Sequence, residues 1–249
     1  MRPPLRIAIL ECDTPADKVK AKYGTYGDIF ERLLKSSALS LGEINPDTDL
    51  AISKFDIVND TKYPNIDDID AVLLTGSKHD SFADVPWINT LVEFTKKVYS
   101  DERVRLIGVC FGHQIIGRAL GVPVGRSDIG WEVAVCEVDL TEKGKELFGK
   151  EKLYIHQMHR DIVGAWPKGV EPLGTSPRCT VQGMYAAQKL ITVQGHPEFN
   201  SEIMLEILDG RHKLGIFSAE VYNEASSRAA NVHDGLAVGA AFLKFLLDD

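Results

Sequence analysis

The chain has 249 residues, 44% of them hydrophobic and 26% charged, with a formal net charge of −8. This is enough apolar sequence to bury a full core, which argues against disorder, and an acidic balance without any Lys/Arg run argues against nucleic-acid or anionic-membrane partners. No stretch reaches the ~20 apolar residues needed to span a bilayer, and the apolar run of about six residues in MRPPLRIAILECD is too short for a signal-peptide core. The four cysteines, Cys12, Cys110, Cys136 and Cys179, lie far apart without CxxC spacing. Neither a zinc site nor a disulfide framework is therefore expected, and the expected compartment is a reducing one, cytoplasmic or nuclear.

Strand-length apolar runs alternate with helix-period segments, the pattern of an α/β protein with a mostly parallel central sheet flanked by helices. In chain order, strands are predicted at Leu5–Leu10, around Ile52–Val58, and at Ala71–Thr75, Leu106–Cys110, Val133–Leu140 and Leu190–Gln194. Helices are predicted at Gly27–Leu34, Ile88–Val98 after Pro86, Gly112–Leu120, Glu202–Leu208 and Val238–Leu247. In the last of these, Val238, Ala241, Phe242, Phe245 and Leu246 fall on one face, the spacing of a core-packing helix. Loops are expected at Asn45–Asp49, Tyr63–Asp68 and the Gly/Pro-rich stretch around Pro167–Pro177. The polar, alanine-rich segment Ser218–Asp234 reads equally as helix or linker. No repeat or low-complexity tract is present.

The junction between the fourth strand and its helix carries Gly108–Val109–Cys110–Phe111–Gly112, a Gly-x-Cys-x-Gly pattern matching a nucleophile elbow with sulfur in place of oxygen. A side chain projects from so tight a turn only when its flanking positions lack bulk. The following helix would present its N-terminus to Cys110, where the helix dipole favours a thiolate. A buried structural cysteine is the competing reading of this stretch alone. A partner base is offered by Thr192–Val193–Gln194–Gly195–His196–Pro197–Glu198–Phe199. There His196 would stand at the C-terminal end of a strand, where open α/β sheets place their sites, and Glu198 can turn back to bond the imidazole.

These segments, GVCFGHQ and GHPEF with LLTGSKHDSF upstream, resemble the class I glutamine amidotransferases over roughly residues 5–210. The resemblance implies a flavodoxin-like three-layer domain over residues 1–249, with 218–249 a C-terminal helical extension. It also implies Cys110 as nucleophile, His196 as general base and then acid, and Glu198 as the group orienting His196. The oxyanion hole it implies combines the N–H of Phe111 with one from the loop Thr75–Gly76–Ser77, although the family's usual Gly-Gly-Pro is here Gly76–Ser77–Lys78, which leaves open which of Gly76 and Ser77 donates. Gln114 matches a position that helps to hold glutamine, and reads equally as a polar residue of the elbow helix. His113 reads as structural. His156, His159 and Asp161 would make a metal cluster only on a helix, whereas LYIHQMHRDIV looks like a strand and its exit. No metal is therefore expected, and His159 and Asp161 are expected at the rim of the site. Trp87 and Trp131 could wall a pocket, but packing is the simpler reading of each.

The chemistry implied is thiolate attack on a γ-glutamyl carbonyl, release of the amine and hydrolysis of a γ-glutamyl thioester, with no cofactor. Roughly 50 residues follow Glu198, too few for a synthase domain. The acceptor of ammonia is then a separate synthase subunit, or ammonia is released, or the small-molecule substrate is not glutamine. Tyr23–Tyr26 (YGxY), Gly76–Asp80 and CFGHQII are similar to features of plant γ-glutamyl peptidases. Three functions are thus expected to compete: a glutaminase-type amidotransferase, a γ-glutamyl peptidase, and a non-catalytic regulatory protein, the last opposed by the intact Cys, His and Glu.

Overall fold

The computed structural model describes residues 1–248. Its strands are β1 (Leu5–Glu11), β2 (Leu50–Asp56), β3 (Ala71–Leu74), β4 (Arg105–Val109), β5 (Val124–Arg126), β6 (Glu132–Leu140), β7 (Lys152–His159), β8 (Asp161–Val163), β9 (Glu171–Thr175), β10 (Gly183–Ala186) and β11 (Leu190–Val193). Its helices are α1 (Asp17–Tyr23), α2 (Tyr26–Leu41), α3 (Pro86–Ser100), α4 (Phe111–Ala119), α5 (Glu142–Phe148), α6 (Ser201–Lys213), α7 (Ala219–Arg228) and α8 (Gly235–Leu247).

Nine strands make one sheet in the order β2-β1-β3-β4-β11-β10-β9-β6-β7, and β5 pairs with β8 in a separate ribbon. From β2 to β11 the strands run parallel. Beyond β11 the sheet continues through antiparallel partners. The parallel strands read as unbroken apolar runs because both of their faces are covered, and all four residues of β3 are buried.

Alternation along these strands sorts the core into two layers. Ile7, Ile9, Leu73, Ile107 and Val193 face one side, where they pack with Phe30 and Leu34 of α2, Phe148 of α5 and Phe242 and Phe245 of α8. Ala8, Leu10, Val72, Leu74 and Leu106 face the other, against Ile88, Leu91 and Val98 of α3 and Ile115 and Ile116 of α4. All five residues assigned to the inner face of the last helix are buried there. A third cluster joins Val133 of β6 and Met158 of β7 to Ile203, Met204 and Leu208 of α6 and Ala225 of α7.

Helix ends follow local chemistry. Thr25 and Asp28 form a reciprocal capping box at the start of α2, and the Ser218 side chain accepts the Val221 N–H to start α7. The ambiguous segment Ser218–Asp234 is thereby resolved into a capped helix and a short loop. The stretch around Pro167–Pro177, expected as loop, contains β9. Pro172 and Gly174 depress its strand propensity, and its pairing is imposed by β10 and β6 on either side. No helix among the described residues is long and apolar enough to cross a membrane.

Candidate active site

β3, β4 and β11 are neighbours and parallel, in register Leu74 to Gly108 and Val193 to Val109. Their C-terminal ends therefore deliver Thr75–Gly76, Cys110 and His196 to one edge of the sheet.

Cys110 is the residue between β4 and α4, with φ 51° and ψ −103°. A non-glycine side chain at positive φ is strained, and such strain is held only where the surroundings over-determine it. Here the Cys110 N–H donates to the Val193 carbonyl at 3.0 Å and the Gly112 N–H to the Thr75 carbonyl at 3.2 Å. The turn also needs its glycines: a Cβ on Gly112 would lie 2.3 Å from the Leu74 carbonyl oxygen, and one on Gly108 would lie 2.7 Å from Ile116 Cδ1. Cys110 is buried but reaches a cavity of about 660 Å³, which it shares with Gly76, Ser77, Gln114 and His196.

His196 is held from four sides. Its Nδ1 lies 2.8 Å from Glu198 Oε1, its backbone N–H donates to the His156 carbonyl at 2.7 Å, and its ring stacks on Phe199 with centroids 4.1 Å apart. The fourth side is Gly76, where a Cβ would sit 2.7 Å from His196 Cε1. Burial pulls the imidazole pKa down, but the charges of Glu198 and Cys110 and hydrogen bonds to both more than reverse this and raise it to about 10. The imidazolium thus lies between the sulfur and a fully buried carboxylate.

Thr75 ties the neighbouring loop to the elbow. Its hydroxyl accepts the Cys12 N–H at 2.9 Å and donates to the Gly76 carbonyl at 3.0 Å. Lys78 N–H is committed to Asp13 Oδ2 at 2.7 Å and His79 N–H to Ser77 Oγ at 3.1 Å. This narrows the donors that the loop can turn toward an oxyanion to Gly76 and Ser77. Phe111, the first residue of α4, has an N–H with no intrahelical acceptor, and its ring is braced by Trp87 at 5.7 Å.

Gln114 lines the cavity, but its amide is engaged by protein. Oε1 accepts from Ser81 at 2.8 Å, and Nε2 donates to the Asp161 carbonyl at 2.8 Å and to Gln194 at 3.2 Å. His113 is buried against Thr192 Oγ1 at 2.8 Å, away from the cavity lining, and burial takes its pKa down to about 3. His156 and His159 both lie on β7, three residues apart, and so point to opposite faces. His159 bonds Glu132 at 3.0 Å and, with Asp161, lines the cavity. Among the described residues one group of ligand-type atoms does converge, Glu132, His159 and Cys179, within 4.8 Å of one another. The Glu132 carboxylate there already accepts from His159, Ser176 and Gln182, the pattern of a satisfied buried network.

Trp131, for which packing was the simpler expectation, also lines the cavity, together with Arg126, Arg160 and Arg211. None of these arginines was singled out from sequence. The available signal was Arg160, enclosed by the His159–Arg160–Asp161 element assigned to the rim. Of the YGxY segment, Tyr26 lines the cavity, while the Tyr23 hydroxyl donates to Glu202 at 2.5 Å.

This elbow, on this sheet, defines a class I glutamine amidotransferase fold, and the family model for glutamine amidotransferase class-I matches residues 28–209. The chain belongs to that family. It is 36% identical to a glutamine amidotransferase-like protein of Schizosaccharomyces pombe, over 97% of this chain and 98% of the other. It is 31% identical to γ-glutamyl peptidase 2 of Arabidopsis thaliana, over 88% and 86% of the two chains. A solved glutamine amidotransferase of Thermotoga maritima shares the fold at TM-score 0.71 and 16% identity, covering 98% of this chain and 99% of its own.

Proposed function

We propose that the protein is a cysteine-dependent hydrolase of γ-glutamyl amides, acting as a single domain. The observation that carries this reading is Cys110, held at positive φ on the elbow beside the buried His196–Glu198 pair. The Cys110 thiolate attacks the γ-carbonyl carbon, forming the C–S bond, and the negative charge that develops on oxygen is met by the N–H of Phe111 and of Gly76 or Ser77. Collapse breaks the C–N bond as the His196 imidazolium gives its proton to the departing amine. His196 then takes a proton from water, whose oxygen attacks the thioester carbonyl. The C–S bond breaks, glutamate leaves and the thiolate is restored. Gln114, its amide already bonded, braces the wall of the glutamyl site.

With glutamine the leaving group is ammonia, released or passed to a separate synthase subunit. A second reading, hydrolysis of γ-glutamyl peptides, is favoured by the cavity. At about 660 Å³ it falls within the ~300–1,000 Å³ of sites that enclose far larger ligands, and the likeness to an Arabidopsis γ-glutamyl peptidase points the same way.

The test is the intact mass of the protein after brief incubation with glutamine or a γ-glutamyl dipeptide and acid quench. The native chain is expected to carry a γ-glutamyl adduct that Cys110→Ala lacks, and the substrate that loads faster identifies the physiological class. An adduct on both chains, or on neither while circular dichroism shows them folded, refutes the assignment of Cys110.

A further inference from the structure

Most charges around the cavity are matched. Arg126 pairs with Asp80 at 2.6 Å and Asp161 at 3.0 Å, Lys78 with Asp13 at 2.8 Å, and Glu206 with Lys18 at 3.0 Å. Arg160 and Arg211 differ. Both line the cavity and both lie over the ring of Trp131, at 5.1 Å and 4.4 Å from its centroid, and among the described residues neither has a carboxylate within ion-pair distance. The Trp131 ring is itself fixed edge-on against Phe217 at 5.1 Å. Arg211 is held below the ordinary guanidinium value by burial; the charges of Cys110 and Tyr26 act against this, and that of Arg160 adds to it. Two half-buried cations therefore repel each other across one aromatic ring, an arrangement that an incoming anion relieves.

The kind of anion follows from charge matching. A glutamyl head is zwitterionic, with an ammonium beside its carboxylate, and two unpaired guanidinium groups repel the ammonium. The corner made by Arg126, Asp80 and Asp161 offers both signs and suits such a head. In a γ-glutamyl amino acid or short peptide, the amine of the second residue is consumed in the amide bond, so that half carries a carboxylate with no ammonium beside it. Apolar surface continues outward from the cavity in Leu214 and Ile216, which are 77% and 47% exposed. We infer that Trp131, Arg160 and Arg211 form the leaving-group subsite, in which the two guanidinium groups bind a carboxylate on the amine half of the substrate and Trp131 holds them in place.

This rests on the γ-glutamyl hydrolase reading, and the experiment separates the two. The kcat/KM of the native chain is measured on γ-glutamyl-glycine and on γ-glutamyl-glycinamide, which differ in the leaving-group carboxylate alone. The native chain is expected to prefer the acid by ~10–100-fold, the worth of one or two charge-assisted hydrogen bonds. Arg160→Gln and Arg211→Gln should each lower that ratio, and the double variant should bring it near one, mainly through KM. Arg160→Lys and Arg211→Lys, which keep the charge and the aliphatic stem, should retain part of the preference and show that the cavity keeps its shape. Equal turnover of acid and amide by the native chain overturns the inference and leaves the hydrolase reading standing. Equal losses on both substrates in the Gln variants assign the pair to the glutamyl head and also overturn it. Turnover of neither substrate overturns this inference, and if no thioester is trapped from glutamine either, the hydrolase reading falls with it.

Discussion

Of the charges that act on His196, that of Glu198 is the largest. The Glu198 side chain is fully buried, with Oε1 against His196 Nδ1 and Oε2 without a hydrogen-bond partner among the described residues. Its charge therefore acts chiefly on the imidazole, raising a pKa that burial alone would depress. Glu198→Gln keeps the shape and can keep the hydrogen bond but removes the charge, so the pKa of His196 must fall. In the proposed mechanism the leaving amine takes its proton from the His196 imidazolium, so the alkaline limb of the kcat/KM profile is expected near pH 10 in the native chain. In the variant it should move at least one unit lower, with kcat down ~10²–10⁴-fold. A pH–rate series on both proteins measures this, and an unmoved limb removes Glu198 from the role of orienting and charging His196. The placement of Cys110 on a tight turn and of Glu198 against His196 was legible in sequence because each depends on immediate neighbours: glycines around the cysteine, and a two-residue spacing between His196 and Glu198. Trp131, Arg160 and Arg211 were not, because they meet only through the packing of α6 against β6 and β7.

At the scale of elements, the β4–α4 junction stands where β3 permits it. The missing Cβ of Gly112 is what lets α4 begin against the Leu74 carbonyl, and the Gly112 N–H bonds the Thr75 carbonyl of the loop that carries Gly76. Gly112→Ala is expected to cost ~1–3 kcal/mol by overpacking against backbone, lowering the melting temperature by several degrees. It should also reduce thioester formation, because elbow and loop shift together. Gly210, inside α6 with open space where a Cβ would go, provides the contrast: Gly210→Ala should stabilise by up to ~1 kcal/mol. Thermal melts of the two variants measure the difference, and equal melting temperatures would show that the elbow is not set by this contact. The elements legible beforehand are those whose own sequence dictates them, the doubly buried parallel strands and the amphipathic helices α2, α3 and α8. β9, interrupted by Pro172 and Gly174, takes its conformation from neighbours, α1 and α5 have only seven residues each, and α7 carries too few apolar residues for periodicity to separate it from a loop.

The whole molecule responds to pH through histidines that differ in sign. His113 and His156 are buried and stay neutral, their pKa values lowered to about 3 by burial first and then by neighbouring histidines, and burial also lowers that of His233 against the opposing charges of Asp234 and Glu198. His196 is raised to about 10. Below pH 6.5 the unfolded chain binds protons on His113, His156 and His233 that the folded chain refuses, so stability falls on acidification by about 1.4 kcal/mol per pH unit for each extra proton. Asp70, which burial would raise but the hydrogen bonds and charge of Arg6 hold below the ordinary value, adds to the loss at still lower pH. Above neutrality the sign reverses: the folded chain keeps a proton on His196 that the unfolded chain has lost, and this stabilisation disappears as the pH rises from about 6.5 through about 10. Together the histidines place the stability maximum close to neutral pH. Urea denaturation from pH 4 to 10 should trace this dome, and Glu198→Gln, by lowering the pKa of His196, should flatten its alkaline side while leaving the acid side in place. A native chain whose stability kept rising toward pH 10 would contradict a protonated, carboxylate-held His196.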